Sequence, residues 1–175
     1  MRSSGGAGND GLIPAGTIAP AIALPRLDAP EDKRQMTGPG AKGLTLAAFF
    51  KESCPTCRFT LPFLERLHRQ VAAHGGDVLG ISQNDAEETE ALRADLDLSL
   101  PILIDAPGLK LSRWFDLVSV PTLYLLDGNG AVVRGGMGFN KRDLTAMADA
   151  LASSVGASKP TLWNPSEEIP ESRPG

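Results

Sequence analysis

Two cysteines, Cys54 and Cys57, stand two residues apart in the stretch "FFKESCPTCRFTLPFLERL". A Cys-x-x-Cys pair can clip a metal, sit buried as two small apolar groups, or cycle between dithiol and disulfide. Zinc has partners to consider, because His68 and His74 follow at intervals close to those of a finger. Residues 55 to 74 read as one helix, however, which sets His68 roughly 16 Å along the axis from Cys57, against a zinc–ligand reach of about 2 Å. No metal site is expected, and both histidines are assigned to the solvated face of that helix. The inert reading leaves the placement of the pair unexplained. Proline is favoured at the first helical position, where its missing N–H has no partner to lose, so Pro55 puts Cys54 at the helix N-terminus. Unpaired N–H groups and the positive end of the helix dipole stabilise a thiolate there. Cys57 follows one turn on, with its sulfur in reach of the first.

The elements around the pair are legible as hydrophobic periodicity. "LTLAAFF" (44–50) is a continuous apolar run, the pattern of a strand buried on both faces. Phe59, Phe63, Leu67 and Val71 recur every four residues with Leu64 beside them, which makes one face of an amphipathic helix that Gly75-Gly76 stops. "DVLGIS" (77–82) is the next strand. Asp85 and Glu88 suit the N-cap and N3 positions of a helix through Leu96. "PILID" (101–105) predicts a short strand and "GLKLSRWF" (108–115) a short helix. "TLYLLDGNGAVVRGG" predicts an antiparallel hairpin around Asp127-Gly128-Asn129-Gly130, and Asn140 caps a last helix with Leu144, Met147, Ala148 and Leu151 on one face. The order describes an α/β fold, a mixed central sheet with helices on both faces.

The same residues resemble the thioredoxin superfamily. "ESCPTCRFTLP" is similar to its active-site motif, with Pro62 at the proline that bends the active-site helix. "FDLVSVPTLYLLDGNGAVV" is similar to the segment in which a cis-proline before Thr faces the disulfide, here Val120-Pro121-Thr122. "GTIAPAIALPRLD" (16–28) and the added helix and strand between 85 and 105 resemble the TlpA-like and AhpC/TSA-related branch, the redoxin domains. The resemblance covers roughly residues 15 to 153. It implies a thioredoxin-like fold with an N-terminal extension and an inserted helix-strand, and a cis bond before Pro121. Three positions depart from the family pattern: Ala48 stands where thioredoxins carry a buried Asp, Ser53 where Trp precedes the first cysteine, and Thr60 where some TlpA-like proteins have a catalytic Glu.

The function expected is thiol-disulfide oxidoreduction on protein disulfides or dithiols. Exchange needs one exposed, partly ionised sulfur and a second that resolves the mixed disulfide. Cys54 is assigned as nucleophile and Cys57 as resolving thiol. Pro55 and Thr56 tune the pair, while Val120 and Pro121 offer backbone to an extended substrate strand. No cofactor is expected beyond the Cys54–Cys57 disulfide itself, and electrons come from or go to an external partner. Two other readings remain. A peroxiredoxin-like thiol peroxidase would place a Thr or Ser three residues before the reactive cysteine, where Lys51 stands, and an Arg near Pro121. A redox-switched binding module would use the same pair without turnover.

Bulk composition bounds the rest. A chain of 175 residues suits one domain with tails: 1–14 flexible, 15–155 the thioredoxin-like domain, and 156–175 a proline-rich acidic tail. Solvation is favoured for the second tail, with Trp163 and Ile169 the groups able to dock. A net charge of −4 without long runs of one sign gives no purchase for nucleic acid. No apolar run approaches the length of a membrane span and no secretory apolar core is visible, so a cytoplasmic location is expected, or a periplasmic or secreted one after removal of a leader. A monomer is expected.

Overall fold

The computed structural model describes residues 11–37 and 42–175. A short antiparallel ladder joins β1 (Leu24–Pro25) to β2 (Lys33–Arg34) ahead of the main sheet. Next comes β3 (Thr45–Phe50), the run expected to be buried on both faces, and each of its residues is buried. Because strand side chains alternate, Leu46, Ala48 and Phe50 enter one core while Ala47 and Phe49 enter the other. The chain then forms α1 (Pro55–Val71), a 3-10 turn over Ala72–His74, β4 (Asp77–Ser82) and α2 (Ala86–Asp95). After these come β5 (Ile102–Ile104), α3 (Lys110–Trp114), β6 (Thr122–Leu126), β7 (Val132–Met137), β8 (Phe139–Asn140), α4 (Lys141–Ser154) and β9 (Ser172–Arg173).

Five strands make the central sheet in the order β5-β4-β3-β6-β7. β3 pairs in parallel with β4 and antiparallel with β6, so the sheet is mixed, as expected. α1 and α4 pack on the face of Leu46, Ala48 and Phe50, with Leu92 of α2 in the same cluster. Leu111 of α3, Phe115 and the N-terminal segment cover the face of Ala47 and Phe49. The N-terminal extension also touches strands at both ends of the sheet, through bridges Ile18 to Ala131 and Arg26 to Leu103, which removes exposed edge.

Local signals behave as their chemistry requires. The Asp85 carboxylate accepts the Glu88 amide at 2.9 Å, and Asn140 accepts that of Asp143 at 2.9 Å. After α1 and its 3-10 turn, Gly75 has φ 85, a conformation glycine reaches without steric cost. In the hairpin the Asp127 carboxylate accepts the amides of Asn129 and Ala131. The expected helix over 108–115 is shorter, because Leu109 takes φ 52, which delays the first helical residue to Lys110.

Both flanks differ from the expected tails. Residues 1–10 of the N-terminal one lie outside the described residues, but Ile13 is buried and donates its amide to the Tyr124 hydroxyl at 3.0 Å. The C-terminal segment is docked rather than solvated. Leu162 is 3% exposed, and the Trp163 ring lies 4.9 Å from Phe63 and 5.9 Å from Phe139. Glu167 takes two hydrogen bonds from Arg66, at 2.7 and 3.0 Å. One aromatic and one aliphatic anchor, with a bidentate ion pair, offset an ordering entropy that composition alone suggested would win.

Candidate active site

β3 delivers the chain to the site and α1 carries it away. Between them Lys51 to Ser53 form a turn closed by the Cys54 amide on the Lys51 carbonyl at 3.3 Å. Cys54 is the N-cap of α1, with extended backbone, and its sulfur accepts the Cys57 amide at 3.1 Å. Sulfur thus replaces the oxygen usual at a cap, and one of the helix's unpaired N–H groups points at it. The Cys54 thiol donates to the Val120 carbonyl at 3.4 Å, which places the 120–121 loop over the helix end. The Val120–Pro121 bond is cis, as the resemblance implied. Cys54 is half-buried, Cys57 is fully buried, and both are free thiols.

Burial does most to distinguish the two sulfurs. It pushes the Cys57 thiol well above its ordinary range, its contact with Cys54 pushes the same way, and the Lys51 main chain offsets part of the rise. Cys57 therefore holds its proton while Cys54 faces solvent. Thr60, one turn beyond Thr56, donates its hydroxyl to the Thr56 carbonyl at 2.7 Å. It ties down the helix rather than serving as an acid.

Two groups that hold this turn, Asn84 and Asp95, were not singled out from sequence. Asn84, in the bend after β4, accepts the Glu52 amide at 2.7 Å. Arg58 donates to the Glu52 carbonyl at 2.8 Å, to its carboxylate at 2.8 Å and to Asp95 at 2.9 Å, so its charge is spent there rather than on the sulfurs. Asn84 precedes the Asp85 cap, and that adjacency was the one available signal. Beside Val120 a cleft of about 310 Å³ is lined by Lys51, Gln83, Ser112, Arg113 and Val118, and Val118 is 69% exposed. Asp105 shapes its wall by accepting the amides of Leu111 and Ser112 and the Ser112 hydroxyl.

The histidines take no part in the pair. His74 is exposed, while His68 is half-buried with its Nδ1 enclosed and without a hydrogen-bond partner, a departure from the solvated face expected for it. Among the described residues no group of three or more His, Cys, Asp or Glu side chains could hold a metal ion. No helix among them is long and apolar enough to cross a membrane.

Residues 15–134 match the AhpC/TSA family. The chain belongs to that family. Within the wider set, the thiol-disulfide oxidoreductase ResA of Halalkalibacterium halodurans is 30% identical over 93 residues, 51% of this chain and 52% of that protein. This chain thus aligns to about half the length of that curated relative. The fold is also that of the thioredoxin domain of a thiol-disulfide oxidoreductase from Bacteroides vulgatus, with TM-score 0.63, 18% identity, and 72% of this chain and 90% of that one covered. StoA from Bacillus subtilis gives TM-score 0.61 at 17% identity, covering 77% and 98%. At these identities the structural likeness is one of fold: this AhpC/TSA member has a thioredoxin-like fold.

Proposed function

We propose that this chain is a thiol-disulfide oxidoreductase acting on protein thiols through Cys54 and Cys57. The observation that carries the reading is the inequality of the two sulfurs: one caps a helix, half-exposed and fed by an amide, and the other is buried one turn behind it. In the reducing direction the Cys54 thiolate attacks a substrate disulfide. A new S–S bond forms to one substrate sulfur, and the other leaves as a thiolate that takes up a proton. Cys57 then gives up its proton and attacks the Cys54 sulfur, releasing the second substrate thiol. Two electrons and two protons pass from the dithiol to the substrate, and an external dithiol restores the enzyme. The reverse sequence oxidises a substrate dithiol.

Burial of Cys57 suits the order of events. Its proton is retained until the first exchange has placed an electrophilic sulfur beside it, and the second attack is intramolecular. Pro55 fixes the start of the helix that aims amides at Cys54. The Val120 carbonyl is held by the Cys54 thiol and becomes available to a substrate amide when that thiol ionises. Pro121 sets the loop in position, and Thr56 presents its hydroxyl beside the pair. The reaction requires no cofactor, and the working unit is a monomer.

The resemblance to the ResA protein supports this chemistry. The test is by variant. Cys54→Ser should abolish dithiol-dependent reduction of insulin, whereas Cys57→Ser should accumulate a mixed disulfide visible as an intact-mass adduct. Equal trapping by Cys54→Ser would overturn the assigned roles. An equilibrium titration against glutathione would give the direction in which electrons run in a given compartment.

A further inference from the structure

The backbone beside Cys54 is already covered by the chain's own residues. β9 (Ser172–Arg173) pairs antiparallel with β8, directly after Gly138, whose amide donates to the Pro121 carbonyl at 2.8 Å. The next carbonyl, that of Pro174, accepts the Thr56 hydroxyl at 2.6 Å. Thr56 stands between the two cysteines. Gly175 then lies so close to the Val120 carbonyl that a Cβ on it would collide with that oxygen. An extended segment thus occupies the positions at Thr56 and Val120 that a substrate strand would need.

The segment leading to this point divides into an anchor and a tip. Leu162, Trp163 and the Glu167–Arg66 pair fix the anchor, and the Glu171 carbonyl accepts the Lys141 amide at 2.9 Å. The tip is exposed at Ser172, Pro174 and Gly175. Its holds are a two-residue ladder, the Thr56 hydroxyl and the Arg173 guanidinium over the Phe59 ring at 4.5 Å. Few buried contacts hold it, so it can open locally while the anchor stays. Tethering keeps it at high effective concentration over the site.

We propose that Ser172–Gly175 form an autoinhibitory strap, which holds the polypeptide groove until a protein substrate displaces it. The inference rests on the exchange chemistry proposed above. Cys54 stays half-exposed with the strap in place, so a small disulfide reaches its sulfur and only a polypeptide must compete for the groove.

The experiment compares the full chain, a deletion of residues 172–175 and Gly175→Val, each with two oxidants: insulin, under dithiothreitol, and the small aromatic disulfide 5,5′-dithiobis(2-nitrobenzoate). Expected is a rise of about threefold or more in the insulin rate for both variants, with the small-disulfide rate changed less than about twofold. Equal insulin rates in the full chain and in folded variants, with the small-disulfide reaction intact, would sink the strap and leave the exchange reading standing. Loss of both reactions in all three forms would overturn the exchange reading and the strap with it. Should the deletion lower the thermal midpoint, Gly175→Val decides, since it alters one exposed residue and leaves the anchor whole.

Discussion

In a chain carrying Cys54→Ser, so that no disulfide can form, Cys57 should make stability fall at alkaline pH, and Cys57→Ala should remove that fall. The thiol is fully buried, and burial is the largest cause of its raised pKa, which survives the change at position 54. An unfolded chain ionises this group around its ordinary value of 9.0, while the folded chain keeps the proton. The contribution is therefore complete below pH 9 and is lost as pH climbs toward the folded value, with a slope approaching about 1.4 kcal/mol per pH unit. At pH 10.5 the unfolded thiol is about thirtyfold ionised over protonated, which gives RT ln(1 + 30), or about 2 kcal/mol. For a chain of this size that corresponds to roughly 4–8 °C in Tm. The assay is urea unfolding of Cys54→Ser and Cys54→Ser/Cys57→Ala at pH 8 and pH 10.5. Removing the sulfur costs packing at both pH values alike, so only the difference of differences matters. If that difference stays within about 0.5 kcal/mol, Cys57 ionises as freely folded as unfolded, and its role as a proton-holding resolving thiol fails with it.

Other side chains give sharp expectations of stability. The Glu65 carboxylate accepts the amides of Ser99 at 2.7 Å and Leu100 at 3.0 Å in the loop before β5, so Glu65→Ala should cost about 2–4 kcal/mol in urea unfolding by stranding those donors. Asp105→Ala should cost about 2–3 kcal/mol and slow insulin reduction, because the Leu111 and Ser112 amides that shape the cleft beside Val120 lose their acceptor. Trp163→Ala should lower stability by about 2 kcal/mol and expose residues 157–171 to limited proteolysis, as the indole packs on Phe63 and Phe139 and donates to Thr145 at 3.3 Å. An unchanged proteolytic pattern would show that the anchor does not depend on the ring.

Much of this molecule could be read from residue order, because the signals were local. The unbroken run of β3, the four-residue spacing along α1, Pro55 after Cys54, and the caps at Asp85 and Asn140 each act within a few residues of themselves. So does the Cys-x-x-Cys spacing, since one helical turn brings the Cys57 amide to the Cys54 sulfur wherever the helix lies. Tertiary structure alone decided which sulfur is buried, because Cys57 is enclosed by the core that α1, α4 and β3 build together. It also decided what fixes the turn: Asn84 after β4 and Arg58 of α1 both bond Glu52, and Asp95 of α2 holds Arg58. The C-terminal segment shows the division most plainly. Its prolines and glutamates argue for solvation when counted along the chain, yet Leu162, Trp163 and Glu167 each find a partner about a hundred positions away on α1, and pairing over such distances leaves no trace in local pattern.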